Sequence, residues 1–265
     1  MATTGTATFG DELRRWRETR RMSQLGLSVE AGVSQRHLSF LENGRSQPSR
    51  EMVIHLGTIL DVSLRERNAL LAAAGFAPLY TERHLDEPEL DQVRHVLEIL
   101  LAAYDPFPAY VIDRSWNLVM ANEAAMMVMG VLLDPSAPPE VAANVVTASL
   151  HPLGIRERVL NWEDFAAALI HRVEREVTHN PHDETLAELL DQARSYPGVS
   201  DLADRPMIPE GQDLLVSVRI TVDGAELEFF TTIATIGAPY DVTLEELRLE
   251  TLLPANPATE DWLRA

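Results

Sequence analysis

The sequence predicts a multi-domain chain: an all-α unit of five short helices over residues 1–80, then an α+β unit with an antiparallel sheet over residues 81–265. Three observations carry this. Serines able to cap helices recur about every dozen residues as far as Ser63, the spacing of a small helical domain. Asp223-Gly224 separates two runs of alternating apolar and polar residues, a strong short-range hairpin signal. The charge also changes along the chain: residues 1–80 sum to +2 and the remainder to −21, giving −19 in total. A length of 265 residues suits about two domains.

In the first unit, Phe9, Leu13 and Trp16 recur at helical spacing over Phe9 to Arg20. Ser23 caps a second helix through Gly26 to Ala31, and Ser34 a third. Ser49 precedes a fourth helix carrying Met52, Val53, Leu56, Ile59 and Leu60. Ser63 opens a fifth, with Glu66 to complete a capping box and Gly75 as the stop.

The linker is GFAPLYTERHLDEP, residues 75–88, where three breakers coincide with the turn to acidic composition. Pro88 then fits the first position of a helix with Leu90, Val93, Val96, Leu97, Leu100, Leu101 and Tyr104 on its apolar face, ended before Pro106. Ala109 to Asn122 reads as a hairpin around Asp-Arg-Ser. Helices follow at Glu123 to Met129, at Asn161 to Val173 with Asn161 and Asp164 as a capping box, and at Asp183 to Ala193.

The Asp223-Gly224 turn fixes the register of the second hairpin. Val222 faces Ala225, Ile220 faces Leu227, Val218 faces Phe229, Val216 faces Thr231 and Leu214 faces Ile233, while Arg219 opposes Glu228 and Thr221 opposes Glu226. One face is nearly apolar and the other polar. The tail reads as a short helix from Thr243, an irregular leucine-rich stretch, and a last helix capped by Asn256 with Pro257 at its first position.

Within EAGVSQRHLSFLENG, Glu30 to Gly44, each residue type has a task. Ala31 is small where two helices cross, Gly32 takes positive φ in the turn, Val33 plugs the corner and Ser34 caps the next helix. Leu38 and Leu41 point inward, leaving Gln35, Arg36, His37 and Ser39 outward with Phe40 beside them. Gln matches adenine N6/N7 and Arg matches guanine O6/N7 in the major groove. The chain contains no lysine, so phosphate contacts fall to Arg, neutral side chains and backbone N–H groups.

SQLGLSVEAGVSQRHLSFLENG resembles the Xre/Cro/C1-type phage-repressor helix-turn-helix family over residues 9–74, and the match implies a lambda-repressor-like five-helix fold. By that resemblance Gln24 contacts a phosphate, Gln35, Arg36 and Ser39 enter the major groove next to Ser34 and His37, and Arg45, Ser46 and Arg50 lie near the backbone of a double-stranded operator. Ser28, where the family usually has Ala, is a departure that a bond back to its own helix accommodates. A charge of +2 is weak for a DNA binder and implies a homodimer reading two half-sites.

The acidic unit shows no nucleophile elbow, phosphate loop, HExxH or CxxC, so an enzyme is not expected. His179 and His182 with Asp183 come nearest to a metal cluster, but Pro181 breaks helical i, i+4 geometry; no metal or cofactor is expected. His151 and His171 read as structural. Met120, Met126, Met127 and Met129 cluster near Tyr110 and Trp116, which suits either an ordinary core or an adaptable pocket; composition alone favours the core, and sequence spacing does not separate the two.

AYVIDRSWNLVMANEAA, NVVTASLHPLGIRERVLNWEDFAAALIHRV and IATIGAPYDVTLEELRLETLLPA resemble the ligand-binding domain of MmyB-like transcription regulators over roughly residues 85–255. The resemblance implies a PAS-like sheet flanked by helices and a small, largely apolar effector such as a fatty-acyl chain. Placed on this sequence, the pocket lies between the sheet's apolar residues Val216, Val218, Phe229 and Thr231 and helices bearing Met126, Met129, Phe165 and Leu169, near Tyr110, Trp116 and Met120. Asn122 is either a polar group inside it or the cap of the Glu123 helix. The competing expectation is an acidic protein-interaction module without a small ligand.

Zero cysteines exclude disulfides and thiol chemistry. No membrane span and no signal peptide are apparent, so the expected location is the cytoplasm, on the nucleoid.

Overall fold

The computed structural model describes residues 7–180, 183–203 and 216–265. Two compact units emerge, and they are not two consecutive halves of the chain.

In the first unit, side-chain oxygens accept from the third amide of each of four helices: Thr8 for α1 (Phe9–Thr19), Ser23 for α2 (Gln24–Glu30), Ser34 for α3 (Gln35–Glu42) and Ser49 for α4 (Arg50–Ile59). The fifth helix, α5 (Leu64–Ala73), departs from expectation. Ser63 makes no side-chain cap bond; the Leu64 N–H donates at 2.6 Å to the Glu245 carboxylate. A carboxylate is a stronger acceptor at a positive helix end than a hydroxyl, so a distant residue replaces the local cap. Leu13, Trp16, Leu27, Leu38, Leu41, Leu56 and Leu71 fill the core between these helices. A Cβ added at Gly10 would stand 2.6 Å from the Glu42 carbonyl oxygen, so α1 meets the end of α3 backbone to backbone.

Beside the expected division at residue 80, the first compact unit runs to Arg83 and also includes Gly237–Glu245. Asn68 holds the backbone of Leu79 and Tyr80 with three hydrogen bonds, so the Pro78 region is pinned rather than a free linker. Asp241 accepts from Thr81 at 2.8 Å and pairs with Arg83 at 2.9 Å, and Thr243 donates to the Arg83 carbonyl.

The second unit begins with α6 (Asp91–Tyr104), for which Pro88 opens a preceding single turn. Then come β1 (Ala109–Ile112), β2 (Leu118–Ala121), α7 (Glu123–Leu132), α8 (Pro139–Ala142), α9 (Val145–Leu150), α10 (Trp162–His179), α11 (Glu184–Ser195) and α12 (Ser200–Ala203). The chain closes with β3 (Val218–Val222), β4 (Ala225–Thr235), α13 (Val242–Glu246), β5 (Arg248–Pro254) and α14 (Pro257–Arg264). Asn256 caps α14 through the Thr259 amide.

The sheet is antiparallel with order β2-β1-β5-β4-β3. The two expected hairpins form, and the leucine-rich stretch read as irregular is the strand between them. Leu249, Glu250 and Thr251 are all buried, and a middle strand covered on both faces loses period-two alternation. The β3–β4 register pairs Val218 with Phe229 through Val222 with Ala225. Val216 lies beyond the end of β3, and Leu214 falls outside the described residues. Arg219 ion-pairs diagonally with Glu226 at 3.4 Å rather than with Glu228 opposite, which instead accepts from Ser217.

Asn161 forms no capping box on α10. Its amide donates to the Ser217 carbonyl and its carbonyl accepts from the Arg219 N–H, at 2.8 and 2.9 Å, tying the start of α10 to β3. Two apolar clusters flank the sheet, one built on α9, α10 and α11, the other on β3, β4 and α7.

Candidate functional site

The outward surface of α3 follows from its inward one. Leu38 and Leu41 are buried, which leaves Ser34, Gln35 and Arg36 exposed and His37, Ser39 and Phe40 partly so. The Arg36 guanidinium lies over the Phe40 ring, 5.2 Å from its centroid, which holds the charge one helical turn from its own Cα. Gly32 takes φ +63° in the turn before the helix.

Beneath this surface, Glu42 is a fully buried carboxylate that joins three helices. Arg17 donates from both ends of its guanidinium at 2.6 and 3.1 Å, Gln24 donates at 2.8 Å and Arg14 at 3.5 Å. Burial alone would raise this carboxyl, but the hydrogen bonds from Arg17 and Gln24 and the charge of Arg17 hold it below the ordinary range. Gln24, assigned to a phosphate, therefore has its amide nitrogen engaged with Glu42. Arg45 is exposed, and Ser46 and Arg50 are partly so; among the described residues Arg36, Arg45 and Arg50 enter no ion pair.

In the second unit the sheet faces α7, α9 and α10 across a cavity of about 220 Å³, far more than the ~10–15 Å³ that one water requires. A row of residues crosses four strands on that face: Ala121 beside Tyr110, Tyr110 beside Glu250, Glu250 beside Ile233. All four line the cavity, and Val216, Val218, Phe229 and Thr231 continue the same wall. Opposite them stand Phe165 and Leu169 of α10, Met126 and Met129 of α7, and Trp116. Met126 is 57 % exposed, so it sits at the rim.

Two expected residues are not part of the lining. Met120 pairs with Val111, one position out of phase with the Tyr110–Ala121 row, and alternation carries it to the other face. Asn122 is buried as a structural bracket. Its oxygen accepts from Ala125 and Ala109, at 2.9 and 3.0 Å, and its nitrogen donates to the carbonyls of Phe107 and Leu101. These bonds cap α7 and fix the start of β1.

A model of the MmyB-like transcription regulator ligand binding domain matches residues 93–265, and one of a helix-turn-helix domain matches residues 8–70. The first of these alone covers more than half of the chain. The chain belongs to the MmyB-like transcription regulators. No curated protein matches it. As a member of this family the chain is a DNA-binding transcription regulator with a ligand-binding domain.

In this MmyB-like regulator the cavity contains two charged residues that sequence reasoning missed, Arg172 and Glu250, the only charges in the lining among the described residues. They form an ion pair, and the Tyr110 hydroxyl donates to the other Glu250 oxygen at 3.2 Å. Arg172 is stacked on the Trp116 ring at 4.3 Å and reaches Glu176 at 3.5 Å; the Trp116 N–H also donates to Glu176. Desolvation, together with the neighbouring Glu250, pushes the Tyr110 phenol well above its ordinary range, so it stays a donor. The only available signal was a charged pair, Arg248 and Glu250, inside a leucine-rich run. Among the described residues no cluster of metal-binding side chains occurs, and no helix is long and apolar enough to cross a membrane.

Proposed function

We propose that the protein is a cytoplasmic, non-enzymatic one-component repressor or activator: the helix-turn-helix unit binds a specific operator as a homodimer, and the second unit senses a small apolar molecule such as a fatty-acyl compound. The observation that carries the sensor half is the cavity itself, roofed by α7 and α10 and floored by an apolar sheet face. A mostly apolar wall with a few convergent polar groups is the usual make-up of a small-molecule site. The operator half rests on Gln35, Arg36 and Ser39 presented on α3.

The mechanism is a population shift. A ligand that prefers one arrangement of the sensor changes the population competent for the operator, with a coupling of typically ~1–3 kcal/mol, or ~5- to 150-fold in affinity. Native mass spectrometry of gently purified protein tests the sensor: a small co-purifying adduct that Ala168→Phe abolishes, with ligand-free operator binding intact, is the expected result. Ala168 lines the cavity, so the larger ring fills it. Adduct retention in that variant would contradict the assignment.

A further inference from the structure

The polar groups of the cavity discriminate between ligand head groups. Arg172 is the only cation in the lining among the described residues, and it is already committed: Glu250 neutralises it, Glu176 takes a second nitrogen and Trp116 covers its face. The Glu250 side chain is 3 % exposed. A ligand carboxylate at Arg172 would meet a guanidinium whose charge Glu250 already balances and would be buried beside a second carboxylate, a costly arrangement in a poorly solvated site. Glu250 itself has acceptor capacity in reserve. Its two oxygens offer about four lone-pair sites, and Arg172 and Tyr110 occupy two. The cavity therefore has a spare acceptor and no spare cation.

We propose that the cavity selects a largely apolar molecule whose polar end is uncharged and donates a hydrogen bond to Glu250, a primary alcohol or primary amide, and disfavours the free carboxylate of the same chain. This rests on the sensor reading above and narrows its ligand class. Tyr110 supports the head group as well, because its oxygen can accept while its proton is held by Glu250.

The test is calorimetric titration of the 265-residue protein at pH 7.5 with 1-decanol, decanamide and decanoate. The expected result is that the alcohol or the amide binds at least ~10-fold more tightly than decanoate, a difference of ~1.4 kcal/mol. In Glu250→Gln the preference should shrink or invert, because Arg172 then loses the one of its two carboxylate partners that lines the cavity. Should that variant fail to fold, the wild-type ratio decides alone. Decanoate binding as tightly as the neutral probes overturns this inference and leaves an apolar-ligand sensor standing. No binding by any of the three overturns both.

Discussion

Glu42 shows how one side chain organises a recognition surface without touching DNA. It gathers Arg17, Gln24 and Arg14 from two other helices onto the end of α3. Removing one member of a buried pair typically costs ~3–5 kcal/mol, so Glu42→Ala should lower the thermal midpoint of the helix-turn-helix unit by many degrees. The pH dependence has a definite sign. Its depressed pKa means that Glu42 contributes stability above the unfolded carboxylate range, lost as pH falls through the lower folded value. Glu42→Gln should flatten the acid limb of a stability-versus-pH curve; an unchanged limb would remove Glu42 from that role. On the outer surface, Arg36→Ala should weaken specific binding and relax preference at one base step by ~1–3 kcal/mol. Arg50→Ala should weaken all sequences alike and reduce the salt slope by ~1. Equal behaviour of the two in a binding-site selection would contradict the assigned roles. Gly10→Ala should destabilise the head, since its methyl would have to enter the α3 backbone.

At the scale of elements, what the sequence disclosed depended on whether the signal was local. Caps Ser23, Ser34 and Ser49, the Asp223-Gly224 turn and its register were all readable, because the partners stand within a few residues. The middle strand, the Leu64–Glu245 cap and the pairing of Arg172 with Glu250 were not. Each joins residues far apart in sequence, and the burial of both faces of β5 erases the alternation that would have marked it. The cavity lining shows the same division. Side chains of the Asp223-Gly224 hairpin are placed by register, whereas Met120 and Asn122 neighbour the lining residues of the first hairpin only along the chain, and alternation carries the one to the other face while the other caps α7. Asn161 belongs to this level too: Asn161→Ala leaves the Ser217 carbonyl and Arg219 N–H without their partner. A loss of ~1–3 kcal/mol in denaturant unfolding is expected; no loss would show that α10 does not depend on β3 for its position.

For the whole molecule the uneven charge sets the conditions under which the operator is found. With +2 on residues 1–80 against −21 on the rest, long-range attraction to a polyanion is small, and the surplus negative charge opposes non-specific binding. The 265-residue protein should therefore show a shallow salt dependence on random duplex and a large ratio of specific to non-specific affinity. Equilibrium binding between 50 and 200 mM salt measures both, and a steep slope on random duplex would contradict it.

The return of Gly237–Glu245 to the first unit has a consequence for anyone dissecting this regulator. A fragment ending at Arg83 contains all five helices, yet lacks the acceptor for the first amide of α5 and the partner of Thr81 and Arg83. Truncation after the helix-turn-helix is thus an amputation rather than a clean cut, and supplying Gly237–Glu245 as a separate peptide should raise the melting temperature of the shortened protein. The stretch that bridges two neighbouring sensor strands serves, at the same time, as a missing piece of the DNA reader.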